Sequence, residues 1–213
     1  MDAEIYNGYW ITTDTYLTQE HREVNAQLVA EYMFNLGWTR NAIAGMLGNM
    51  DVESSINPAL IEGRSYHTLI DNNACLAVPD DKGVGLVQWT GDGDTPPIGQ
   101  KIASFAIRNN MNWYDGNCQC FRIEREYDLD IQFLPGTVDG VSWNWQNYII
   151  STESPETLAK VWWARYERGG TDLTTRQQKA RYYYQLIRKQ IPLWLLYKMS
   201  QKRKVGKRPC RRV

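Results

Sequence analysis

The chain has 213 residues, 43% of them hydrophobic, which suffices for one sizeable core and points to one main domain. The apolar stretch from Ile191 to Met199 is broken by Pro192 and Lys198 and falls short of the roughly 20 residues a membrane span needs, so membrane insertion is excluded. Formal charge is zero, yet eight of the 24 basic residues follow Leu196, leaving a body of net charge −8 and a basic tail without interleaved aromatics, no basis for specific nucleic-acid recognition.

The predicted organisation is a lead over 1–20, a folded domain over 21–197 and a basic tail over 198–213, read as solvated and disordered. Attraction to an anionic cell-wall polymer, to a protein partner or, without specificity, to nucleic acid is the alternative use for that tail. The opening MDAEIYNGYW is acidic and polar, so no export signal is expected. Cys75, Cys118, Cys120 and Cys210 are scattered and read as structural thiols, with a Cys75 disulfide to Cys118 or Cys120 as the alternative. With only His21 and His67 besides, no metal site and no cofactor are expected.

In chain order, Val24, Leu28, Val29, Tyr32, Met33 and Leu36 recur at helical spacing, and Gly37 closes that helix. Thr39 caps a second helix from Arg40 towards Glu53, whose apolar side is Ile43, Met46, Leu47 and Met50. Asn57-Pro58 ends it. Between Ala59 and Gly85 glycine, asparagine, aspartate and Pro79 break any helical period, and pieces such as Leu76-Ala77-Val78 suit a small β-hairpin or an irregular lobe walling a cleft. Helices follow over Gly99 to Asn109 and Cys118 to Phe133, with a turn at Pro135-Gly136. Ser154-Pro155-Glu156 starts another helix, ending near Arg168 before Gly169-Gly170, and Thr174 to Gln190 is the last. The expected fold is mainly α, with one small β lobe.

Chemistry concentrates in two motifs. Gly48-Asn49-Met50-Asp51-Val52-Glu53-Ser54-Ser55-Ile56-Asn57-Pro58 puts Glu53 at the C-terminal, negative end of a helix dipole beside apolar side chains. Both effects disfavour ionisation and suit a group that must deliver a proton. Asp51, two positions earlier, should point elsewhere. In Gly83-Val84-Gly85-Leu86-Val87-Gln88-Trp89-Thr90 two glycines permit close backbone approach, and an amide and an indole follow that can hydrogen-bond and stack on a sugar.

Glu53-Ser54-x-x-Asn57-Pro58 followed by Gly83-x-Gly85-Leu86-x-Gln88 resembles the signature shared by goose-type lysozymes and soluble lytic transglycosylases. The fuller Gly45-Met46-Leu47-Gly48-Asn49-Met50 and Gly85-Leu86-Val87-Gln88-Trp89-Thr90 are closer still to the tail-tip lysozyme domain of small podoviruses. That likeness runs from about Asn25 to Tyr184 and takes in Ala164-x-Tyr166-Glu167-Arg168 and Arg176-x-x-x-Ala180. It implies a lysozyme-like α+β fold with the β lobe flanking a glycan cleft. It implies further a virion-associated muramidase at the tail tip, made in the host cytoplasm, whose partners are peptidoglycan glycan strands and other tail proteins.

Residue by residue, the resemblance implies Glu53 as acid/base, Ser54 as a support of its helix end, and Gln88 and Trp89 as sugar contacts. Tyr166 is implied as a tyrosine approaching the acid from a late helix. Glu167 and Arg168 read as ion-pairing residues. The chain departs from the family in having Gly169-Gly170 where phage relatives tend to carry proline, and in having no metallopeptidase domain after the lysozyme part. A hydrolase that inverts needs a second carboxylate about 6.5–9.5 Å from the acid, and one that retains needs it at about 5–5.5 Å. Asp71, Asp80 and Asp81, in the segment expected to face Glu53, are the candidates for positioning water. Without such a partner Glu53 can act as acid and then base on the sugar's own hydroxyl, as in a lytic transglycosylase. A noncatalytic glycan-binding or structural tail module is the third reading. Trp113, Trp143, Trp145, Trp162 and Trp163 are further stacking candidates, most of them expected in the core.

Overall fold

Where caps and apolar periods coincide, the expected helices form. The computed structural model describes residues 4–6, 10–63, 69–90, 101–128 and 132–188. His67, Cys210, the basic tail and the start of the helix expected from Gly99 lie outside the described residues. A hairpin of β1 (Glu4–Tyr6) and β2 (Trp10–Thr12) precedes α1 (Gln19–Asn35) and α2 (Arg40–Ser54). Thr18 and Thr39 cap the two helices, accepting from the amides of His21 and Ala42.

The chain continues through α3 (Asn72–Leu76), α4 (Ile102–Arg108) and α5 (Gly116–Asp128). A second hairpin, β3 (Gly136–Val138) with β4 (Val141–Trp143), leads into α6 (Trp145–Ile149), α7 (Pro155–Arg165) and α8 (Leu173–Arg188). Ser154 caps α7 with Pro155 at its first position, as expected. The fold is mainly α and lysozyme-like, and among the described residues no helix is long and apolar enough to cross a membrane.

The axis of the domain is α2, buried on every side from Ala42 to Asp51 and packed against α7 and α8. Its glycines make that possible. A Cβ on Gly48 would stand 2.7 Å from the backbone nitrogen of Ala180 and closer still to the Arg176 carbonyl, and one on Gly45 would stand 2.8 Å from the Leu158 backbone. The backbones of α7 and α8 therefore touch that of α2, which delivers Arg176 of α8 to the C-terminal end of α2. An aromatic cluster of Trp38, Phe133, Trp145, Tyr148, Trp162 and Tyr166 packs around the other end of α7.

Three expectations are corrected. Leu76-Ala77-Val78 is not a strand: Asp71 accepts the Ala74 amide at 2.8 Å and caps the short α3, so Leu76 closes a helix and Ala77-Val78 turn after it. The segment is the irregular alternative, with isolated bridges from Val84 to Ile61 and to Trp89 among its described residues. The helix expected to reach Phe133 is described only to Asp128, and Phe133 lies beyond it in the aromatic cluster. Finally, Cys118 and Cys120 are buried thiols outside any disulfide, so the alternative bridge from Cys75 to either is not formed.

Candidate active site

Glu53 occupies the last turn of α2, four residues after Asn49 and on the same face. Its carboxylate accepts from Arg176 Nη2 at 2.5 Å, while Arg176 Nη1 donates to Asn49 Oδ1 at 3.1 Å. Asn49 is itself fixed through Nδ2 to the carbonyls of Gly45 and Ala159. The arginine is 5% exposed and the glutamate 23%, so the pair sits at the floor of a depression. Asp51 does point elsewhere, into a buried network with Arg22 at 2.9 Å, Lys179 at 3.1 Å and the Tyr183 hydroxyl at 2.6 Å.

The residues after Glu53 build the walls. Ser54 Oγ donates to Met50 O and to Leu86 O at 2.8 Å, joining the helix end to the Gly85-Leu86 turn, as its supporting role implied. Ser55 and Ile56 both adopt left-handed φ, 54° and 55°, an arrangement that a β-branched residue rarely takes and that the Asn25 amide stabilises by donating to Ile56 O at 2.9 Å. Asn57 Nδ2 then donates to the carbonyls of Thr13 and Thr15, each at 2.8 Å, clamping Asp14 between them beside Glu53.

Gln119, overlooked in the sequence, joins the two motifs. Its Oε1 accepts from Leu86 N and its Nε2 donates to Pro58 O and Trp113 O, all at 2.7 Å. Gly85, at φ 79°, is a glycine because a Cβ there would lie 2.6 Å from that Oε1.

A cleft of about 720 Å³ opens over Glu53. Among the described residues it is lined by Asp14, Thr15 and Tyr16 together with Leu60 to Gly63, Gly83, Gln88 and Thr90. Gln88 is where the sequence put it, held at φ 51° with Nε2 donating to Gly85 O at 2.8 Å. Asp71, Asp80 and Asp81 are not among the lining residues. Asp71 caps α3, Asp80 pairs with Lys101 at 2.9 Å, and Asp81 pairs with Lys82 at 3.5 Å. The carboxylates that do share the cleft with Glu53 are Asp14 and Glu62.

Trp89 and Tyr166 do not line the cleft either. Both are buried, because each spends its polar atom on Glu126 of α5: Trp89 Nε1 donates to Oε1 at 2.8 Å and the Tyr166 hydroxyl to Oε2 at 2.6 Å. Arg122 Nε also donates to Glu126 at 3.0 Å, and its guanidinium lies 4.5 Å from the centre of the Trp89 ring. Burial pushes the Glu126 carboxyl upward, against the pull of Arg122 and the three donors. Trp113, Trp143, Trp145 and Trp162 are buried too. The aromatic that a ligand in the cleft would meet is Tyr16, 66% exposed.

Glu167 lies half-buried in the loop between α7 and α8. Its Oε1 accepts from Trp162 Nε1 at 2.9 Å. Burial and the neighbouring Glu53 charge push its carboxyl up to about 8, with Trp162 and Arg176 opposing. This gives stability a pH dependence with a definite sign. Between pH 4.5 and 8 the unfolded chain has lost this proton while the folded one keeps it, so the contribution of Glu167 becomes more unfavourable as pH rises through that window. Glu167→Gln removes the titration and keeps an acceptor for Trp162. Its melting temperature should match wild type near pH 4.5 and exceed it above pH 8; equal temperatures at both ends would show that no proton is held there.

Sequence reasoning missed Arg176, Glu126, Gln119 and Asp14 as site residues. Two of them had a visible signal: Arg176-x-x-x-Ala180 belongs to the family likeness, and Arg122 with Glu126 forms an (i, i+4) pair inside an otherwise buried helical stretch.

The phage tail lysozyme family matches residues 24–187, which includes Glu53, the Gly83–Thr90 turn, Glu167 and Arg176. Morphogenesis protein 1 of Bacillus phage B103 is 32% identical over 175 residues, covering 82% of this chain. The chain matches about 42% of that relative's length. A match over most of the chain shows that it belongs to the phage tail lysozyme family.

Proposed function

We propose that this chain is a virion-associated muramidase that uses Glu53 to cleave the β-1,4 bond between N-acetylmuramic acid and N-acetylglucosamine in peptidoglycan. The observation that carries the reading is the placement of Glu53 at a helix end, in an open cleft that residues of the Gly83–Thr90 motif also line. In this role Glu53 protonates the glycosidic oxygen as the bond breaks, leaving an oxocarbenium-like sugar for water to trap. Gln88 and the exposed ring of Tyr16 offer an amide and a stacking face to the sugars. Asp14, whose neighbours Thr13 and Thr15 are held by Asn57, takes the water-positioning role in place of Asp71, Asp80 and Asp81, which do not line the cleft.

Other tail proteins are the expected assembly partners, and the tail tip the expected place of action. Mass analysis of products from purified peptidoglycan tests bond and mechanism together. Reducing N-acetylmuramic acid ends are expected. Terminal anhydro-sugars would replace the hydrolase with a lytic transglycosylase, and intact strands that nonetheless retain the protein would make it a binding module.

A further inference from the structure

Residues 13–17 belong to no helix or strand, yet buried side chains bond their backbone at every second residue. Asn57 Nδ2 donates to the carbonyls of Thr13 and Thr15, and Ser55 Oγ accepts from the Leu17 amide at 2.8 Å. Just upstream, Asn25 holds both backbone groups of Ile11, accepting from its N at 2.9 Å and donating to its O at 2.8 Å. Asn25, Ser55 and Asn57 are each at 2% exposure or less, and Leu17 is buried beneath them. Between the fixed carbonyl of Thr15 and the fixed amide of Leu17 stands Tyr16, the most exposed large hydrophobic side chain among the described residues. A single tyrosine at a surface needs no explanation. This one lines the cleft that holds Glu53, on a backbone ordered from both sides, so a ligand meeting its ring has little entropy left to remove.

We infer that Ser55 and Asn57 are positioning residues that seat Tyr16 as a stacking platform for a pyranose ring of the glycan strand. This rests on the reading of the cleft as a glycan site. Both residues belong to the turn that ends the helix of Glu53, and Ser55 enters it in the left-handed conformation, φ 54°. The turn itself is braced: Ser54 Oγ donates to Leu86 O, and Asn57 Oδ1 accepts from the Ala59 amide at 3.0 Å. One short stretch of chain therefore carries the acid and, through its side chains, fixes the platform relative to it. The flat face of the ring packs on the C–H face of a sugar while the phenolic hydroxyl remains free to bond a sugar oxygen. Ser55 and Asn57, being buried, touch no sugar and act through the backbone of residues 13–17.

Binding of soluble, peptide-free strands of alternating N-acetylglucosamine and N-acetylmuramic acid is measured on the full chain carrying Glu53→Gln, so that no strand is cut. Tyr16→Ala should weaken binding about 3- to 10-fold, whereas Tyr16→Trp should keep it, with its emission shifting to the blue as strands are added. Asn57→Asp keeps the acceptor for the Ala59 amide but has no donor for the Thr13 and Thr15 carbonyls. It should weaken binding to a similar degree, yet add less than about twofold in the Tyr16→Ala background, because it acts through that ring. Ser55→Ala, a milder change, runs the same cycle and decides the matter if Asn57→Asp does not fold. Unchanged affinity in Tyr16→Ala overturns the platform, and clamp variants whose losses add in full to that of Tyr16→Ala overturn the positioning. If the cycle behaves as expected while wild type cuts no strand, the platform stands and the muramidase reading falls. Cutting by wild type with unchanged affinity in Tyr16→Ala does the reverse.

Discussion

Glu53→Gln is expected to abolish cell-wall lysis, with kcat falling about 10³-fold or more, while retention on insoluble peptidoglycan stays near wild type. Glutamine has the size and one acceptor of glutamate but no proton to give a leaving oxygen, and proton transfer by a positioned acid supplies about 10²- to 10⁴-fold of rate. The fold should survive, because Arg176 keeps its bonds to Asn49 Oδ1 and Thr171 O. Arg176 does lose a charged partner at 5% exposure, so a melting temperature lowered by a few degrees is part of the expectation. Turbidity clearance, a pull-down on purified walls and a thermal melt read the three effects separately. Lysis at the wild-type rate would remove Glu53 from the mechanism.

The largest effect on stability is expected at Glu126→Ala. That carboxylate serves Trp89 Nε1, Arg122 Nε and the Tyr166 hydroxyl at once, at 6% exposure. Its removal orphans three donors and leaves Arg122 buried without a counter-charge, although Arg122 Nη1 already has no hydrogen-bond partner. Breaking a buried pair in this way costs about 3–5 kcal/mol, or about 10 °C in a domain of this size. Replacing both members, Arg122→Met with Glu126→Leu, should recover much of the loss, since no buried charge then remains. Denaturant unfolding of the single and double variants decides it. A double variant no better than Glu126→Ala would mean that the donors, not the stranded charge, dominate.

The helical frame was legible in the sequence because its signals are local. Thr39, Ser154-Pro155 and the apolar steps of α1 and α2 act within a few residues, and each element stands where they put it. The second hairpin carried a local signal that went unread. Asp139-Gly140 between Val138 and Val141, at φ 51° and 79°, is the Asp-Gly pair favoured in tight hairpin turns, and Asn144 with Asn147 then forms a capping box for α6.

Glu53 was legible through its motif, whereas its surroundings were not. Arg176 is 123 positions away and Glu167 follows α7, and nothing near either residue in the chain states that α2, α7 and α8 meet. Trp89 and Tyr166 were read as sugar contacts because aromatics near a motif can be either wall or core. A buried carboxylate on α5, invisible from their own sequence neighbours, decides for core.

The clamp that Asn57 places on Thr13 and Thr15 bears on where this enzyme unit begins. The family match starts at residue 24, yet Asp14, Thr15 and Tyr16 are one bank of the cleft, and Leu17 is pinned by its amide to Ser55 Oγ. The family match therefore begins after residues that line the groove. A protein trimmed to residues 24–187 would lose Asp14, Thr15 and Tyr16 from the groove and leave Glu53 more open to water.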